Sequence, residues 1–224
     1  MEYSEVLKKL KSLSNAKNVA GMARFGINPQ NTLGVSIPNL RKLAKKIGKD
    51  HKLAQKLWNS EIHEARILAG MIDDPRLVTE KQILDWVKDF DSWDVCDQVC
   101  MNLFDKTSFA FLKAAELTKD SREFVKRTGF SLMACLAWHD KTTKDEAFKN
   151  FFPLIKKEAT DERNFVRKAV NWALRQIGKR NKKLNKEAIK TAKEIQKINS
   201  KTARWITQDA LKELQSAAIQ RRIK

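Results

Sequence analysis

Hydrophobic residues recur three and four positions apart along almost the whole chain, which is the spacing that buries one face of an α-helix. Two such stripes are formed by Leu53, Leu57 and Trp58 and by Ile83, Trp86, Val87 and Phe90. Trp58, Trp86 and Trp138 are expected to be core residues. No stretch alternates polar and β-branched residues for long enough to indicate a β-strand. The pattern therefore predicts an all-α fold.

Two pairs of side chains are spaced as capping boxes. In a capping box, Ser or Thr precedes a helix and Glu or Gln follows three residues later, so that each side chain bonds to the other's backbone N–H. Thr79 with Gln82 and Thr143 with Glu146 have this spacing. We predict that a helix begins after each threonine.

A four-residue motif repeats in the second half of the chain. Residues 124–127 (Phe-Val-Lys-Arg) and 165–168 (Phe-Val-Arg-Lys) are the same tetrad with its basic residues exchanged, 41 positions apart. Comparable helices are expected at 63–69, 93–104 and 204–214. Helix pairs that repeat at a step of roughly 40 residues are typical of a helical solenoid.

A polar residue stands at the equivalent position of each of these expected helices. The residues are Arg66, Asp97, Arg127 and Lys168, and they are separated by 31, 30 and 41 residues in turn. In a solenoid, one helix of each pair lines the concave side, where these residues would form a continuous polar strip. Ordinary exposed helix positions would give the same pattern. The spacing alone leaves both interpretations open.

The chain is long enough for one large domain or a continuous solenoid, and we expect a single helical-repeat domain, residues 1–224. Hydrophobic residues make up 42%, and only 7 Gly and 4 Pro occur, which favours helices joined by short loops. Lys and Arg number 45 against 27 Asp and Glu, a net charge of +18, and residues 175–224 hold 15 basic and 4 acidic side chains. Such a surface attracts polyanions such as nucleic acids, although a lysine-rich surface also serves solubility alone.

Several other classes of protein are disfavoured. Three cysteines, an odd number, indicate reduced thiols and a cytosolic setting. The N-terminus has no signal-type apolar run, and no apolar stretch approaches the ~18 residues that span a membrane. Cys96 and Cys100 lack the C-x-x-C spacing of a metal site and are expected to be buried thiols. We therefore expect a cytoplasmic or nucleoid-associated monomer without membrane contact, metal or cofactor.

Residues 91–97 carry the candidate chemistry. In a helix that begins near Asp91, Trp93 and Asp97 are i and i+4 neighbours on one face, which places an aromatic plane beside a carboxylate. A helix cap beside a core tryptophan would have the same sequence.

Seven blocks of sequence are weak individually but specific in their order. They are Gly26-Ile27, Leu33-Gly34-Val35-Ser36-Ile37-Pro38, Leu40-Arg41-Lys42-Leu43, His63-Glu64-Ala65-Arg66, Trp93-Asp94-Val95-Cys96-Asp97, Phe124-Val125-Lys126-Arg127 and Asn164-Phe165-Val166-Arg167-Lys168-Ala169-Val170-Asn171-Trp172-Ala173-Leu174-Arg175. In this order they resemble the DNA alkylation repair family of helical-repeat DNA glycosylases over nearly the whole chain. The resemblance implies a superhelical stack of HEAT-like antiparallel helix pairs with a basic concave groove that holds duplex DNA.

The resemblance also implies metal-free hydrolysis of the N-glycosidic bond of bases alkylated at ring nitrogens. Trp93 and Asp97 match the family's catalytic tryptophan and aspartate, and Arg127 matches its arginine beside the lesion. Trp172 matches an aromatic contact to the lesion strand, and Arg175 a basic contact to the backbone. With the polar strip, the predicted DNA-binding residues are Arg66, Phe165, Lys168, Trp172, Arg175 and Arg204.

The implied reaction is physically reasonable for these residues. A purine alkylated at N3 or N7 is cationic and leaves as a neutral base, so the barrier lies in positive charge that develops on the deoxyribose. At ~4 Å and an effective dielectric constant of ~20, a carboxylate attracts that charge by about 4 kcal/mol, which is worth up to roughly a thousandfold in rate. Asp97 would also orient the attacking water, Trp93 would face the sugar, and Arg127 would clamp a phosphate. Nothing in the sequence indicates a tight pocket for the base.

Two positions depart from the family pattern. Better-known members carry an aromatic residue in an N-terminal helix that contacts DNA, and Gly21 stands at the matching place. Where those members have two aromatics in succession, this chain has Asn164 and Phe165. Two alternatives to a glycosylase therefore stay open: a non-catalytic solenoid that binds nucleic acid, and a protein-interaction scaffold with an acidic partner.

Overall fold

A computed structural model describes residues 1–223 of the chain. Over this range the regular secondary structure consists of helices, and no strand occurs, which confirms the all-α prediction. The chain divides into two compact units, Met1–Ser108 and a second that begins at Phe109. A single domain over residues 1–224 stays a prediction.

In the first unit, α5 is the central helix, because it packs against α1, α3, α4 and α7. The helices of this unit are α1 (Tyr3–Ser12), α2 (Ala16–Ala23), α3 (Ile37–Ile47), α4 (His51–Trp58), α5 (His63–Ile72), α6 (Glu80–Lys88), α7 (Trp93–Asn102) and a 3₁₀ helix at Phe104–Lys106. The rings of Trp58 and Trp86 are buried and stack with centroids 3.9 Å apart. Both tryptophans are core residues, as their spacing predicts.

In the second unit, α12 has the central place, because it packs against α9, α11, α13 and α14. The helices of this unit are α8 (Ala110–Glu116), a 3₁₀ helix at Leu117–Lys119, α9 (Glu123–His139), α10 (Asp145–Lys149), α11 (Phe152–Lys157), α12 (Asn164–Gly178), α13 (Lys182–Gln196), α14 (Lys201–Leu214) and α15 (Ala217–Arg222). Trp138 is 52% exposed in the last turn of α9, where its ring stacks on His139. The prediction of a core position for Trp138 is wrong.

Hydrogen bonds between successive helix pairs show the repeat directly. In the first unit they join residues 31 positions apart, as in Glu64 with Leu33 and His63 with Asp94. In the second unit they join residues 38 positions apart, as in Arg175 with Glu213. The helical repeat predicted from the sequence is therefore present in both units.

Neither predicted capping box forms in full. Thr79 caps α6, since its side chain accepts a hydrogen bond from the backbone N–H of Gln82, but the side chain of Gln82 donates to Asp73 instead. The hydroxyl of Thr143 instead donates to Asp140, whose carboxylate accepts four hydrogen bonds from Thr142 and Thr143. Burial acts to raise the pKa of Asp140, but these bonds prevail and lower it to about 2. This carboxylate organises the turn, and α10 begins only at Asp145.

The three cysteines are fully buried: Cys96 and Cys100 on α7, and Cys135 on α9. This confirms the prediction of buried thiols for the first two. Among residues 1–223, no helix combines the length and the apolar character that crossing a membrane requires.

Candidate functional site

Helix α7 presents Trp93 and Asp97 on a partly exposed side, next to its core stripe. The stripe consists of Val95, Cys96, Val99 and Cys100, all buried. Trp93 and Asp97 are both partly exposed, and their spacing of four residues places them one turn apart on the same side. The predicted pairing of an indole with a carboxylate is therefore present on α7.

The indole of Trp93 is held by the segment that follows α2. Its Nε1 donates a hydrogen bond to the backbone carbonyl of Phe25, over 3.1 Å. Ser92, just before α7, accepts a hydrogen bond from the backbone N–H of Asn28. The side-chain amide of Asn28 also donates to Asp91. Three hydrogen bonds thus join residues 25–28 to the start of α7, and the bond to Phe25 orients the Trp93 ring.

An open cavity of about 650 Å³ lies beside Trp93 within the first unit. Its walls come from α2, the segment after it, α3, α5 and α7. The residues that line it include Gly21, Met22, Phe25, Ile27, Val35, Ile67, Trp93, Asp94 and Gln98. No feature of the sequence predicted this cavity, because it is formed by residues far apart along the chain.

Glu64 organises one wall of the cavity. It is fully buried, and its carboxylate accepts hydrogen bonds from the backbone N–H groups of Leu33, Gly34 and Val35. Gly34 has φ +77°, and a Cβ there would collide with the backbone carbonyl of Asn15. Only glycine fits this position without strain, so residues 33–35 pass close between α2 and α5.

A hydrogen-bonded histidine and aspartate lie at the cavity next to Trp93. Nε2 of His63 is 2.8 Å from Oδ2 of Asp94. Burial acts to lower the pKa of His63, but the hydrogen bond and charge of Asp94, with the charges of Glu64 and Asp91, raise it above its usual value. The second oxygen, Oδ1 of Asp94, is buried and has no hydrogen-bond partner among the described residues. Residues 63, 64 and 94 were not predicted as site residues, although the 31-residue step would have paired His63 with Asp94.

Arg127 belongs to the second unit, on α9. It is buried, and its Nη1 donates to the backbone carbonyl of Phe165 over 2.5 Å. Phe165 is partly exposed, and its ring stacks on Phe124 with centroids 5.5 Å apart. Arg127 therefore supports the first turn of α12, and its contact with a DNA phosphate stays a prediction.

The other predicted DNA-binding residues differ in their surroundings. Lys168 on α12 and Arg204 on α14 are exposed, and Trp172 is partly exposed. Arg175 pairs with Glu213 over 2.7 Å. Arg66 donates to the backbone carbonyl of Asp89 over 3.1 Å, and its guanidinium lies 5.3 Å from the centroid of the Trp58 ring. DNA contacts of these residues, and the basic groove, stay predictions.

These features define an all-helical repeat protein in which one helix carries a partly exposed aromatic residue and carboxylate, the aromatic residue beside a cavity. The model of the family described as DNA alkylation repair enzyme matches residues 6–214. The chain belongs to this family, which confirms the resemblance noted in the sequence.

A comparison with solved structures supports the same fold. The chain is similar to a protein described as "a new family of proteins related to the HEAT-like repeat DNA glycosylases with affinity for branched DNA structures", with a TM-score of 0.78 over 95% of each chain. The sequences are 21% identical, so this likeness shows a HEAT-like fold alone. No curated protein sequence gives a significant match.

Proposed function

We propose that the protein is a DNA glycosylase that hydrolyses the N-glycosidic bond of purines carrying a cationic N3- or N7-alkyl group in duplex DNA. The observation that carries this proposal is the spacing of Trp93 and Asp97, one turn apart on a partly exposed side of α7. Membership of a DNA alkylation repair enzyme family supports it.

In the proposed reaction, the alkylated base leaves as a neutral molecule, so no strong general acid is needed. The carboxylate of Asp97 stabilises the positive charge that develops on the sugar by about 4 kcal/mol at ~4 Å and an effective dielectric constant of ~20. Attraction between the face of the Trp93 ring and the positively charged sugar stabilises this charge by a further 0.5–2 kcal/mol, roughly. The contact to Phe25 favours this role, because a ring held in one orientation loses no further entropy when the sugar arrives.

Binding of DNA is assigned in this proposal to the net charge of +18 and to exposed basic residues such as Lys168 and Arg204. Arg127 is proposed to meet a phosphate beside the lesion. The protein would act as a cytoplasmic or nucleoid-associated monomer on double-stranded DNA.

Non-catalytic binding of DNA is the second candidate. The solved protein of similar fold is described as having affinity for branched DNA, and a strongly basic chain of this fold suits such a ligand. In that case the protein would bind a four-way junction more tightly than plain duplex, at equal salt, and would release no base.

The test is release of 7-methylguanine from a methylated duplex, measured for the wild type and for Asp97→Asn. The substitution removes the charge and keeps the shape, so we expect excision to fall by up to about a thousandfold. The matched control is Asp85→Asn, at a partly exposed aspartate on α6 that pairs with Lys81 and Lys88, and it should retain wild-type activity. Release by the wild type no greater than by Asp97→Asn would show that the glycosylase assignment is wrong.

A further inference from the structure

We propose that one side of α13 binds the phosphate backbone of a DNA duplex. This side carries Lys186, Lys190 and Lys193, together with Lys197 just after the helix, and we call these four residues the lysine face. The lysine face is distinct from the predicted DNA contacts of α12. DNA binding there would not require that the protein excises a base.

The spacing of the lysine face places its residues along one side of the helix. They stand at positions i, i+4, i+7 and i+11, and all four are exposed. Leu184, Ala188 and Ile195 occupy the other side and are buried. At 1.5 Å per residue, the lysine face is about 16 Å long. About five phosphates of one strand occupy the same length, at ~3.4 Å each along the duplex axis.

Neighbouring acids do not neutralise the lysine face. Glu194 lies among these lysines, but it pairs with Lys156 of α11 over 2.9 Å. That contact is the one salt bridge of α13 among residues 1–223. Glu187, the other acid of α13, follows Lys186 by one position and is therefore rotated about 100° away from it around the helix.

The lysine face differs from a surface that serves solubility alone, in which both signs of charge are mixed. On α6, Asp85 stands between Lys81 and Lys88 and pairs with both. On α13, the same spacing of three and four residues holds one lysine after another, and like charges at this spacing destabilise a helix. The arrangement therefore favours an anionic partner, whose binding offsets the repulsion.

The composition of α13 favours DNA over other anionic partners. The exposed residues of this helix are lysines and Gln196. No large apolar side chain among them could enter a membrane surface or anchor a protein partner. DNA needs neither, because the release of counterions from its phosphates drives binding regardless of sequence. Membership of a DNA alkylation repair enzyme family agrees with this ligand.

The lysine face and the predicted contacts of α12 point away from each other. Lys168 and Trp172 lie on the side of α12 opposite its buried residue Ile177. The two helices pack together, and a Cβ added at Gly178 would lie 2.8 Å from the Cβ of Ala188. Since their buried sides meet, their exposed sides face in opposite directions. A short duplex is too stiff to bend around both, so we expect the protein to bind two duplexes.

Lysine acetylation of the full-length protein, read by mass spectrometry, tests the contact directly. The probe is an unmodified duplex of about 12 base pairs, ~40 Å long, which should protect the lysine face. Four neutralised phosphates give a slope of log K against log salt of about −3.6. The duplex concentration for half-protection should therefore rise about 150-fold between roughly 50 and 200 mM salt. The control residues are exposed lysines on four other helices, which should react equally with and without duplex: Lys11, Lys46, Lys56 and Lys119.

The number of bound duplexes, counted by native mass spectrometry, is the second measurement. Glutamine is a comparable helix former and removes the repulsion between the lysines, so the fold should persist in the quadruple variant Lys186→Gln, Lys190→Gln, Lys193→Gln and Lys197→Gln. We expect the wild type to bind two duplexes and this variant to bind one. A control that removes the same charge should still bind two: Lys11→Gln, Lys46→Gln, Lys56→Gln and Lys119→Gln.

Protection of the lysine face, with one duplex lost in the quadruple variant but none in the control, supports the proposal. A single duplex on the wild type that the quadruple variant loses supports the lysine face and contradicts a separate contact on α12. Equal acetylation with and without duplex, or two duplexes on the quadruple variant, overturns the proposal. Stronger protection by poly-glutamate than by duplex of equal charge overturns DNA as the ligand. The excision assay decides the proposed glycosylase independently of these outcomes.

Discussion

Glu64 allows a sharp test of how the cavity is built. Its carboxylate is fully buried and accepts hydrogen bonds from the N–H groups of Leu33, Gly34 and Val35 at 2.8, 2.6 and 3.1 Å. Glu64→Gln keeps the shape of the side chain and replaces one carboxylate oxygen with an NH₂ group. That group then faces a backbone N–H, and burial excludes water that would bridge the two donors.

The expected loss follows from these contacts. A hydrogen bond to a charged group contributes about 1.5–3 kcal/mol, and a buried donor left without a partner costs about 1–3 kcal/mol. The two remaining bonds also weaken, because their acceptor is no longer ionised. We expect the free energy needed to separate residues 33–35 from the side chain at position 64 to fall by about 3 kcal/mol. At about 1.4 kcal/mol for each factor of ten, opening becomes roughly 150-fold more frequent.

Native-state hydrogen exchange, read by NMR at the amides of Leu33, Gly34 and Val35, measures this opening directly. The control is Glu61→Gln, since Glu61 is exposed and the same chemical change there should leave exchange at residues 33–35 unaltered. If the three amides exchange at the wild-type rate in Glu64→Gln, the carboxylate does not hold this segment, and the explanation given for the cavity wall is refuted.

Two further predictions concern packing and pH. In Gly129→Ala the new Cβ would lie 2.8 Å from the backbone nitrogen of Thr118, so we expect urea unfolding to show a loss of stability of about 1–3 kcal/mol. A gain in stability, as expected for the unobstructed Gly21→Ala, would contradict the close packing of α9 against the 3₁₀ helix at Leu117–Lys119. The hydrogen bond to Asp94 outweighs burial and raises the pKa of His63. Protonated His63 therefore stabilises the fold. This stabilisation is complete below the pKa of the unfolded state, about 6.5, and is lost as the pH rises through the pKa of the folded state. The unfolding free energy should therefore decrease from pH 6 to pH 9 in the wild type and much less in Asp94→Asn, and parallel curves for the two proteins would contradict this role.

Local patterns of the sequence predicted much of the structure. The helices, their repeat and the pairing of Trp93 with Asp97 depend on spacings of three, four and about forty residues, which the sequence displays directly. The same reasoning succeeded for the cap at Thr79 and for the core position of Trp58.

The parts that the sequence did not predict depend on contacts between distant residues. The cavity exists because Glu64 binds the N–H groups of residues 33–35, and because Trp93 donates to the carbonyl of Phe25. Backbone partners of this kind leave no trace in the pattern of hydrophobic and polar residues. Arg127 illustrates the same point, because a position typical of an exposed basic residue is buried against the carbonyl of Phe165.

The three buried cysteines have a consequence for a protein that belongs to an alkylation repair family. Sulfur is the strongest nucleophile among the common side chains when it is ionised and accessible, and burial in apolar surroundings makes a thiol inert. The reagents that alkylate purine nitrogens also attack accessible sulfur. Cys96, Cys100 and Cys135 have no exposed surface, so such reagents reach these thiols only when the fold opens. The folded protein is therefore protected from thiol alkylation by the same reagents that would produce the substrate of the proposed reaction.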